Sequence, residues 1–445
     1  MALPFGINVI GYVSSNVSLG ITARQFIKLF QEKGIPVAVH DIDFGRSERG
    51  RDFDFQSLAV PEGSELPYSI NIFFLALYQL PQLLLKSSPN IFSSERLNVG
   101  LLWYEVTSIP SHHAEALALL DVLVCGSGFV KHIFDTNVRN ILTIECKHPL
   151  YLPSDIVPSR EKFGLPKDCV LFICSFDPHH DPARKNPFSV IDAFLSAYPL
   201  RDEGAHLVVK LNNADVKTKG CDPGALVQQL RQRCANDPRI HILPQSLPYS
   251  EVLSLYASCD VFVSLHRSEG LGLGPLESML LGKPVIATAW SGNMSYMKHS
   301  NSCLVGYDLI PYSGMGADGP FQLRNKAKWA EPRVSEAADW MRVLAQDANL
   351  RREIGSRAAI DAAVYHREAQ RADFLDELKH IVNEKQWLPS RTSTKWTQID
   401  RLRQLQQAVD FAGWSGFKRH IRHELDRRVL WRLNKLLNQS RDPKI

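Results

Sequence analysis

Two glutamates, Glu269 and Glu277, stand eight positions apart in "HRSEGLGLGPLESMLLGKPVIAT", with Gly270, Gly272, Gly274 and Pro275 between them. A carboxylate accepts hydrogen bonds from two neighbouring hydroxyls, the arrangement a ribose or another sugar offers. Glycines let a ligand approach the main chain and its N–H groups closely. Pro275 suits the first turn of a helix, where no N–H is needed. A helix start collects unpaired N–H groups and partial positive charge, which favour phosphate. Glu277 then falls about one turn into that helix. Taken singly, Glu277 reads as a capping acid and Glu269 as a solvated loop residue. The pair, the glycines and the strand-loop-helix setting together point to a ligand carrying both phosphates and hydroxyls.

Three further stretches could act with this one. In "FDPHHDPARKNPFSVIDAF", Arg184 and Lys185 are adjacent cations near a helix start, where the helix dipole opposes them. Cations held there would stabilise a departing diphosphate more as its charge grows. In "LLWYEVTSIP", Glu105 ends a strand and could orient a sugar hydroxyl or bond a loop backbone. In "SSNVSLGIT", Gly20 opens the helix after the first strand. The pairs His112, His113 and His179, His180 lack the spaced partners a metal site needs and read as surface or capping groups. "DID" (41–43) and "DFD" (52–54) lie at a strand end and in a polar loop; both read as chance, so metal ligands are expected nowhere.

The elements that must position these residues alternate. "INVIGYV", "VAVHDIDF", "INIFFLAL", "NVGLLWYEV" and "DVLVCGS" read as strands, each near a helix candidate such as "ITARQFIKLFQEKG". A second alternating series starts at "VLFICSF" and runs through "HLVVKL", "IHIL" and "DVFVSL" to the opening motif. The stretch 147–168 carries four prolines and no clear periodicity, and marks a junction. The expected class is α/β: two Rossmann-like, doubly wound domains facing a central cleft, plus a helical C-terminal extension. The expected units are 1–152, 153–388 and 389–445, the last a basic extension.

"SEGLGLGPLESMLLGKPVIAT" resembles the Glu-x7-Glu signature of retaining glycosyltransferases of the GT-B fold, especially glycosyltransferase family 4. "FDPHHDPARKNPFSVIDAF" looks like that family's diphosphate segment. "ATAWSGNMSYM", "NSCLVGYDLIPY" and "KWAEPRVSEAADWMRVLAQDANLRREIGSRA" read like family blocks in order. The similarity covers roughly residues 95–370 well and the first 95 loosely. It implies that 1–152 is the acceptor-side domain and 153–388 the nucleotide-sugar-binding domain, whose last helix crosses back to the first. It also implies that Glu277 holds the donor's ribose and that the N–H groups of Gly270, Leu271, Gly272 and Leu273 face sugar and diphosphate. Glu269 would contact the transferred sugar's hydroxyls, and Lys185 would pair with the diphosphate. Many relatives place an arginine some six residues before that lysine; here the region reads "FDPHH", so Arg184 would take the role. Gly20 would approach the diphosphate from the opposite side, and Glu105 would orient acceptor or donor sugar.

The implied activity is metal-independent, retaining transfer of a sugar from a nucleoside-diphosphate sugar, UDP or GDP foremost, to a hydroxyl acceptor. Polysaccharide, lipopolysaccharide or glycolipid assembly is the implied setting, with a glycan or lipid-linked acceptor and no cofactor beyond the donor. Another class with this fold is a silent nucleotide-sugar-binding or assembly subunit; retention of Glu269, Glu277, Lys185 and Arg184 argues against it. A nicotinamide-dependent enzyme needs G-x-G-x-x-G, and "GYVSSNVSLG" supplies only Gly11 and Gly20, leaving Asp41 and Asp43 too weak alone.

At 445 residues, the chain is long enough for two or three domains, and no apolar run reaches the ~18 to 20 residues of a membrane span. The first residues, "MALPFGINVIGYVSS", lack a basic leader, and the eight cysteines are scattered without a CxxC pair. A cytoplasmic enzyme with reduced thiols is expected. The formal net charge of +4 hides an asymmetry, because residues 390–445 carry +8 and the remainder −4. A nucleic-acid role for the body is therefore unsupported. In "KRHIRHELDRRVLWRLNKLLN", residues 418–437 place Ile421, Leu425, Val429, Leu433 and Leu436 at helical spacing among arginines. Such a helix can lie on the inner face of an anionic membrane, or pack on the enzyme or a second copy in a homo-oligomer.

Overall fold

The computed structural model describes residues 3–42, 52–61, 63–80, 83, 89–93, 95–200, 204–217, 222–235, 237–315, 317 and 323–384. The basic extension 389–445, the candidate helix 418–437, Asp43 and Cys221 lie outside them.

The apolar runs become two parallel six-stranded sheets. In the first, β1 (Ile7–Gly11), β2 (Val37–Asp41), β3 (Ile70–Ala76), β4 (Leu97–Trp103), β5 (Val122–Cys125) and β6 (Leu142–Glu145) lie in the order β2-β1-β3-β4-β5-β6. In the second, β7 (Val170–Phe176), β8 (Ala205–Leu211), β9 (Ile240–Leu243), β10 (Val261–Ser264), β11 (Val285–Thr288) and β12 (Cys303–Val305) lie in the order β12-β11-β10-β7-β8-β9. Strands β1, β3 and β4 are buried throughout, as expected for a parallel sheet covered on both faces. Their register carries a polar marker: Asn8, Asn71 and Asn98 stand side by side across the three strands. Asn8 donates to Asn71 and Asn71 to Asn98, both at 2.9 Å. A slip of one residue would leave these buried amides unpaired, which is costly.

Strand order reverses between β1 and β3 in the first sheet and between β7 and β10 in the second. Ligands of such sheets bind beyond the carboxyl ends of the strands at these reversals. The two reversals open onto one cavity of about 1000 Å³, lined by the loops after β1, β3, β4, β7 and β10.

Two elements tie the halves together. The helix Ala348–Arg371 ends at Ala372, whose left-handed φ of 58° turns the chain into Phe374–Glu384. Tyr365 accepts from the His148 N–H and His366 from the Leu150 N–H, while Phe374 packs on Phe26 and Phe30 of the first half. The second element is an antiparallel hairpin, β13 (Tyr307–Pro311) with β14 (Lys328–Pro332). Its two arms lie in "NSCLVGYDLIPY" and "KWAEP", which the sequence reading takes as family blocks without pairing them. Among the described residues, no helix is long and apolar enough to cross a membrane, and the seven described cysteines are unbridged.

Candidate active site

Strand β10 ends at Ser264 and hands the chain to the loop that carries Glu269. Gly272, at φ 82°, caps the helix Leu273–Leu280, and Glu277 lies in that helix. Only glycine takes this left-handed turn without strain. The bend Gly270–Leu273 lines the cavity together with Glu269 and Glu277. Its shape is held from several sides. Ser291 accepts from the Glu269 N–H at 2.8 Å, and the Gly292 N–H donates to the Glu269 carbonyl at 2.9 Å. Tyr296 donates to the Gly272 carbonyl at 2.5 Å, and Ser127 donates across the cleft to the Gly270 carbonyl at 2.5 Å. A Cβ added at Gly292 would lie 1.9 Å from the Gly270 carbonyl oxygen, so only a glycine fits behind the bend. Ser127, Ser291, Gly292 and Tyr296 were not singled out in the sequence. "WSGNMSY" lies in one of the family-like blocks, but nothing local ties it to the glutamates.

Arg184 and Lys185 end a four-residue helix, Pro182–Lys185, rather than opening the longer one that follows. The site gathers them with the carboxylates. Lys185 Nζ donates to Glu269 Oε1 at 2.5 Å. Arg184 Nη1 lies 3.2 Å from Glu269 Oε2 and donates to the Ser268 carbonyl at 2.7 Å. Glu105 follows β4 and reaches the same guanidinium at 3.8 Å. Burial alone would raise the Glu269 carboxyl; Lys185 and then Arg184 outweigh it and hold it down to about 2. Burial would lower Arg184, but Glu105 and Glu269 push it the other way. Two cations thus face two carboxylates in a cluster without net charge.

Glu277 sits apart from that cluster. Its carboxylate is held by Tyr249, whose hydroxyl donates to Oε1 at 2.6 Å. Burial pushes its carboxyl up to about 7, and the tyrosine's bond only partly offsets this. Tyr249 lies 28 residues upstream and carried no signal of its own.

Gly20 has a different setting. It lies within the helix Ser18–Glu32 and is not among the residues lining the cavity. A Cβ there would meet the Ser15 and Tyr12 carbonyl oxygens at 2.2 and 2.4 Å, so this glycine lets the helix pack on its own preceding loop. The same loop is braced by Arg24, which donates to the Val13 and Ser15 carbonyls and pairs with Asp52 at 3.1 Å. Asp52 of the "DFD" stretch therefore positions a cavity loop. Asp41 of "DID" accepts the Ser14 N–H. His113, His179 and His180 line the cavity, and the His179 ring bonds the Asn213 carbonyl oxygen. No group of three or more metal-ligating side chains occurs among the described residues.

This geometry can be set beside known proteins. Residues 224–308, which include both glutamates, match the family model described as Glycosyl transferases group 1. The chain carries a glycosyltransferase group 1 domain. The fold of the whole agrees, because solved GT-B structures match nearly its full length. Anabaena HepE, in complex with UDP and glucose, is 16% identical with a TM-score of 0.55, covering 84% of this chain and 100% of its own. Sucrose-phosphate synthase from Thermosynechococcus elongatus is 14% identical with a TM-score of 0.58, covering 85% and 100%. A UDP-forming α,α-trehalose-phosphate synthase from Burkholderia vietnamiensis is 10% identical with a TM-score of 0.56, covering 88% and 100%. No curated protein matches the chain by sequence. The protein is a glycosyltransferase with the GT-B fold. In this glycosyltransferase the family match stops at residue 308, the second residue of β13.

Proposed function

We propose that the glycosyltransferase moves a sugar, with retention, from a UDP- or GDP-sugar to a hydroxyl of a glycan or lipid-linked acceptor in polysaccharide, lipopolysaccharide or glycolipid assembly. The observation that carries this reading is the meeting of Glu269, Arg184 and Lys185 at one end of the amide bend Gly270–Leu273, with Glu277 beyond its other end. HepE in complex with UDP and with UDP-glucose supports UDP as the carrier.

In this reading Glu277 accepts hydrogen bonds from the ribose diol, while the bend's N–H groups and the helix N-terminus hold the diphosphate. Lys185 turns from Glu269 to the phosphates and Arg184 stays beside them, stabilising the charge that grows on the leaving diphosphate. The freed Glu269 takes the sugar's hydroxyls, and Glu105 orients the incoming partner. The bond from the sugar's anomeric carbon to the phosphate oxygen breaks, and one to the acceptor oxygen forms on the same face. The acceptor's proton passes to the departing phosphate. Closure of the cleft excludes water and limits donor hydrolysis. Work at the inner face of a membrane, through 418–437, belongs to the same reading. A liposome pull-down of the full chain against one ending at residue 389 tests it; equal partitioning removes it.

The donor assignment is tested with UDP-, GDP-, ADP- and dTDP-sugars, measuring affinity and hydrolysis with and without EDTA. Glu277→Ala weakens donor binding, and Lys185→Ala mainly slows turnover. If both variants keep wild-type affinity and rate, the site is misassigned.

A further inference from the structure

The hairpin β13–β14 brings Tyr312, Met315 and Leu323, which lie between its arms, to the cavity wall, and the donor reading leaves them unused. Three sets of contacts fix the hairpin across the cleft. Asp181, at the start of the short helix bearing Arg184 and Lys185, accepts through Oδ2 from Tyr312 at 3.2 Å and from the Met315 N–H at 2.9 Å. Its other oxygen accepts from the Ala183 and Arg184 N–H groups. Arg267 donates to both oxygens of Glu331 on β14, at 2.6 and 2.9 Å, and to the Ala183 carbonyl at 2.6 Å. From the opposite half, Thr107 Oγ1 accepts from the Lys328 N–H at 3.0 Å and donates to the Lys328 carbonyl. Val106 packs against the small apolar cluster of Tyr312, Leu323 and Trp329. The wall is therefore rigidly built, and it joins the cation-bearing turn to the loop that carries Glu105.

We propose that the hairpin and the loop after β4 form the acceptor subsite, and that its occupant is a sugar ring rather than an alkyl chain. This rests on the donor reading only in placing the acceptor beside Glu105 and Arg184. The slot's composition argues for the occupant. Of the exposed large hydrophobic side chains, two line the cavity: Met315 at 65%, held to Asp181 in this region, and Tyr78 at 42%, on the turn after β3, the strand next to β4. Tyr104 and Tyr312 line it too, but both are buried, with their hydroxyls on the Ser108 and Met315 carbonyls, so they back the slot and leave the apolar contact to Met315 and Tyr78. Two carboxylates meet this surface: Asp181, whose oxygens are taken by Tyr312, Met315, Ala183 and Arg184, and Glu105, whose carboxylate Arg184 approaches at 3.8 Å. A pyranose presents a C–H face to aromatic and thioether surface and a hydroxyl edge to a carboxylate. An alkyl chain would strip water from Glu105 and return no hydrogen bond, a substantial cost.

The test is saturation-transfer NMR on the full chain with UDP present. The probes are the methyl α- and β-glycopyranosides of glucose, galactose and mannose, with 1-hexanol as the alkyl probe. Ring protons of at least one glycoside take up saturation, 1-hexanol does not, and Met315→Ala and Tyr78→Ala each cut the signal by about threefold to tenfold. Both positions are exposed, so the variants keep the wild-type melting temperature, and UDP affinity by calorimetry is unchanged. Three results each overturn the subsite: no glycoside signal, a signal indifferent to both variants, or saturation of 1-hexanol alone. A fall of UDP affinity in step with the glycoside signal also overturns it, since the hairpin would then act through the donor. Failure of both UDP and GDP to bind the wild-type chain refutes the donor reading instead, and the glycoside arms without nucleotide still decide the slot.

Discussion

The two walls of the cleft do different kinds of work. The second half supplies Arg184, Lys185, Glu269 and Glu277, together with the helix whose N-terminus faces the cavity. The first half meets them with largely neutral contacts. Ser127 bonds the Gly270 carbonyl, and the Glu105 carbonyl accepts from Ser268 at 2.7 Å. The Trp103 ring lies so close to Gly270 that an added Cβ would stand 2.8 Å from it. Glu105 is the charged side chain this half brings to the cation cluster. One wall carries the electrostatics and the other holds that wall's bend in shape. Electrostatic work needs fixed charges in a dry site, whereas shape needs only contacts that close when the halves meet.

The largest expected effect lies on the charged wall. Arg184→Ala removes a guanidinium that bonds the Ser268 carbonyl and stands between Glu269 and Glu105, leaving two carboxylates with one cation. Turnover falls by about 10² to 10³, and stability drops by roughly 3 kcal/mol because a buried pair is broken. Glu105→Gln, the matching change on the opposite wall, costs about tenfold in turnover and little stability. Steady-state kinetics and urea unfolding of both variants measure the contrast. Equal losses would abolish the division between the walls.

A second expectation separates the two glutamates of the charged wall by the sign of their pH dependence. Glu277 is raised to about 7 by burial. Its contribution to stability is complete at pH values below the ordinary carboxylate range, and it is lost as pH rises through about 7. Glu269 is depressed to about 2, so its contribution is present above the ordinary range and lost only as pH falls toward that value. Affinity for a nucleotide sugar follows Glu277. A protonated carboxyl accepts a diol poorly, so binding tightens about tenfold from pH 6 to pH 8. Glu277→Gln binds more weakly and shows no such slope in calorimetry. A slope that survives in Glu277→Gln would assign the proton elsewhere.

The contrast between the walls also explains what was legible in the sequence. Glu269, the glycines and Glu277 fall within nine consecutive residues, and Arg184 and Lys185 are adjacent, so one strand-loop-helix unit displays each set without tertiary information. The parallel sheets were legible because strands buried on both faces are continuous apolar runs. The supports were not. Ser127 and Gly270 are 143 residues apart and Tyr249 and Glu277 are 28 apart, and a serine or tyrosine of this kind has no local pattern to mark it. The hairpin escaped for a similar reason: 16 residues separate its arms, so no short turn announces the pairing. At Gly20 the resemblance implies a donor contact, while the structural need for a glycine there, room for the Ser15 and Tyr12 carbonyls, has no mark in the local sequence.

A third expectation follows from the neutral charge of the cation cluster. A diphosphate must compete with Glu269 for Lys185, which is bound to it at 2.5 Å. Glu269→Gln removes that competitor and leaves one excess positive charge beside the phosphates. UDP, which lacks the sugar that Glu269 would hold, binds this variant about tenfold more tightly, while sugar transfer falls. Weaker UDP binding in Glu269→Gln would mean the carboxylate orients the cations rather than opposing the ligand.

The smallest effect tests the supporting wall itself. Ser127 caps the helix Gly128–Asn137, its hydroxyl accepting from the Val130 N–H at 3.3 Å, and donates to the Gly270 carbonyl. Ser127→Ala removes one neutral hydrogen bond on each side, about 1 kcal/mol for each loss. The helix loss appears in the melting temperature whether or not donor is bound. The loss at Gly270 appears only when the halves are closed, because the bond spans them. Donor KM should rise about threefold to fivefold with kcat little changed, since the bend loses a support but no charge. Ser127→Thr, which keeps the hydroxyl, restores KM. If Ser127→Ala lowers kcat as strongly as a change on the charged wall, the supporting wall takes part in the chemistry and the contrast between the two fails at its weakest contact.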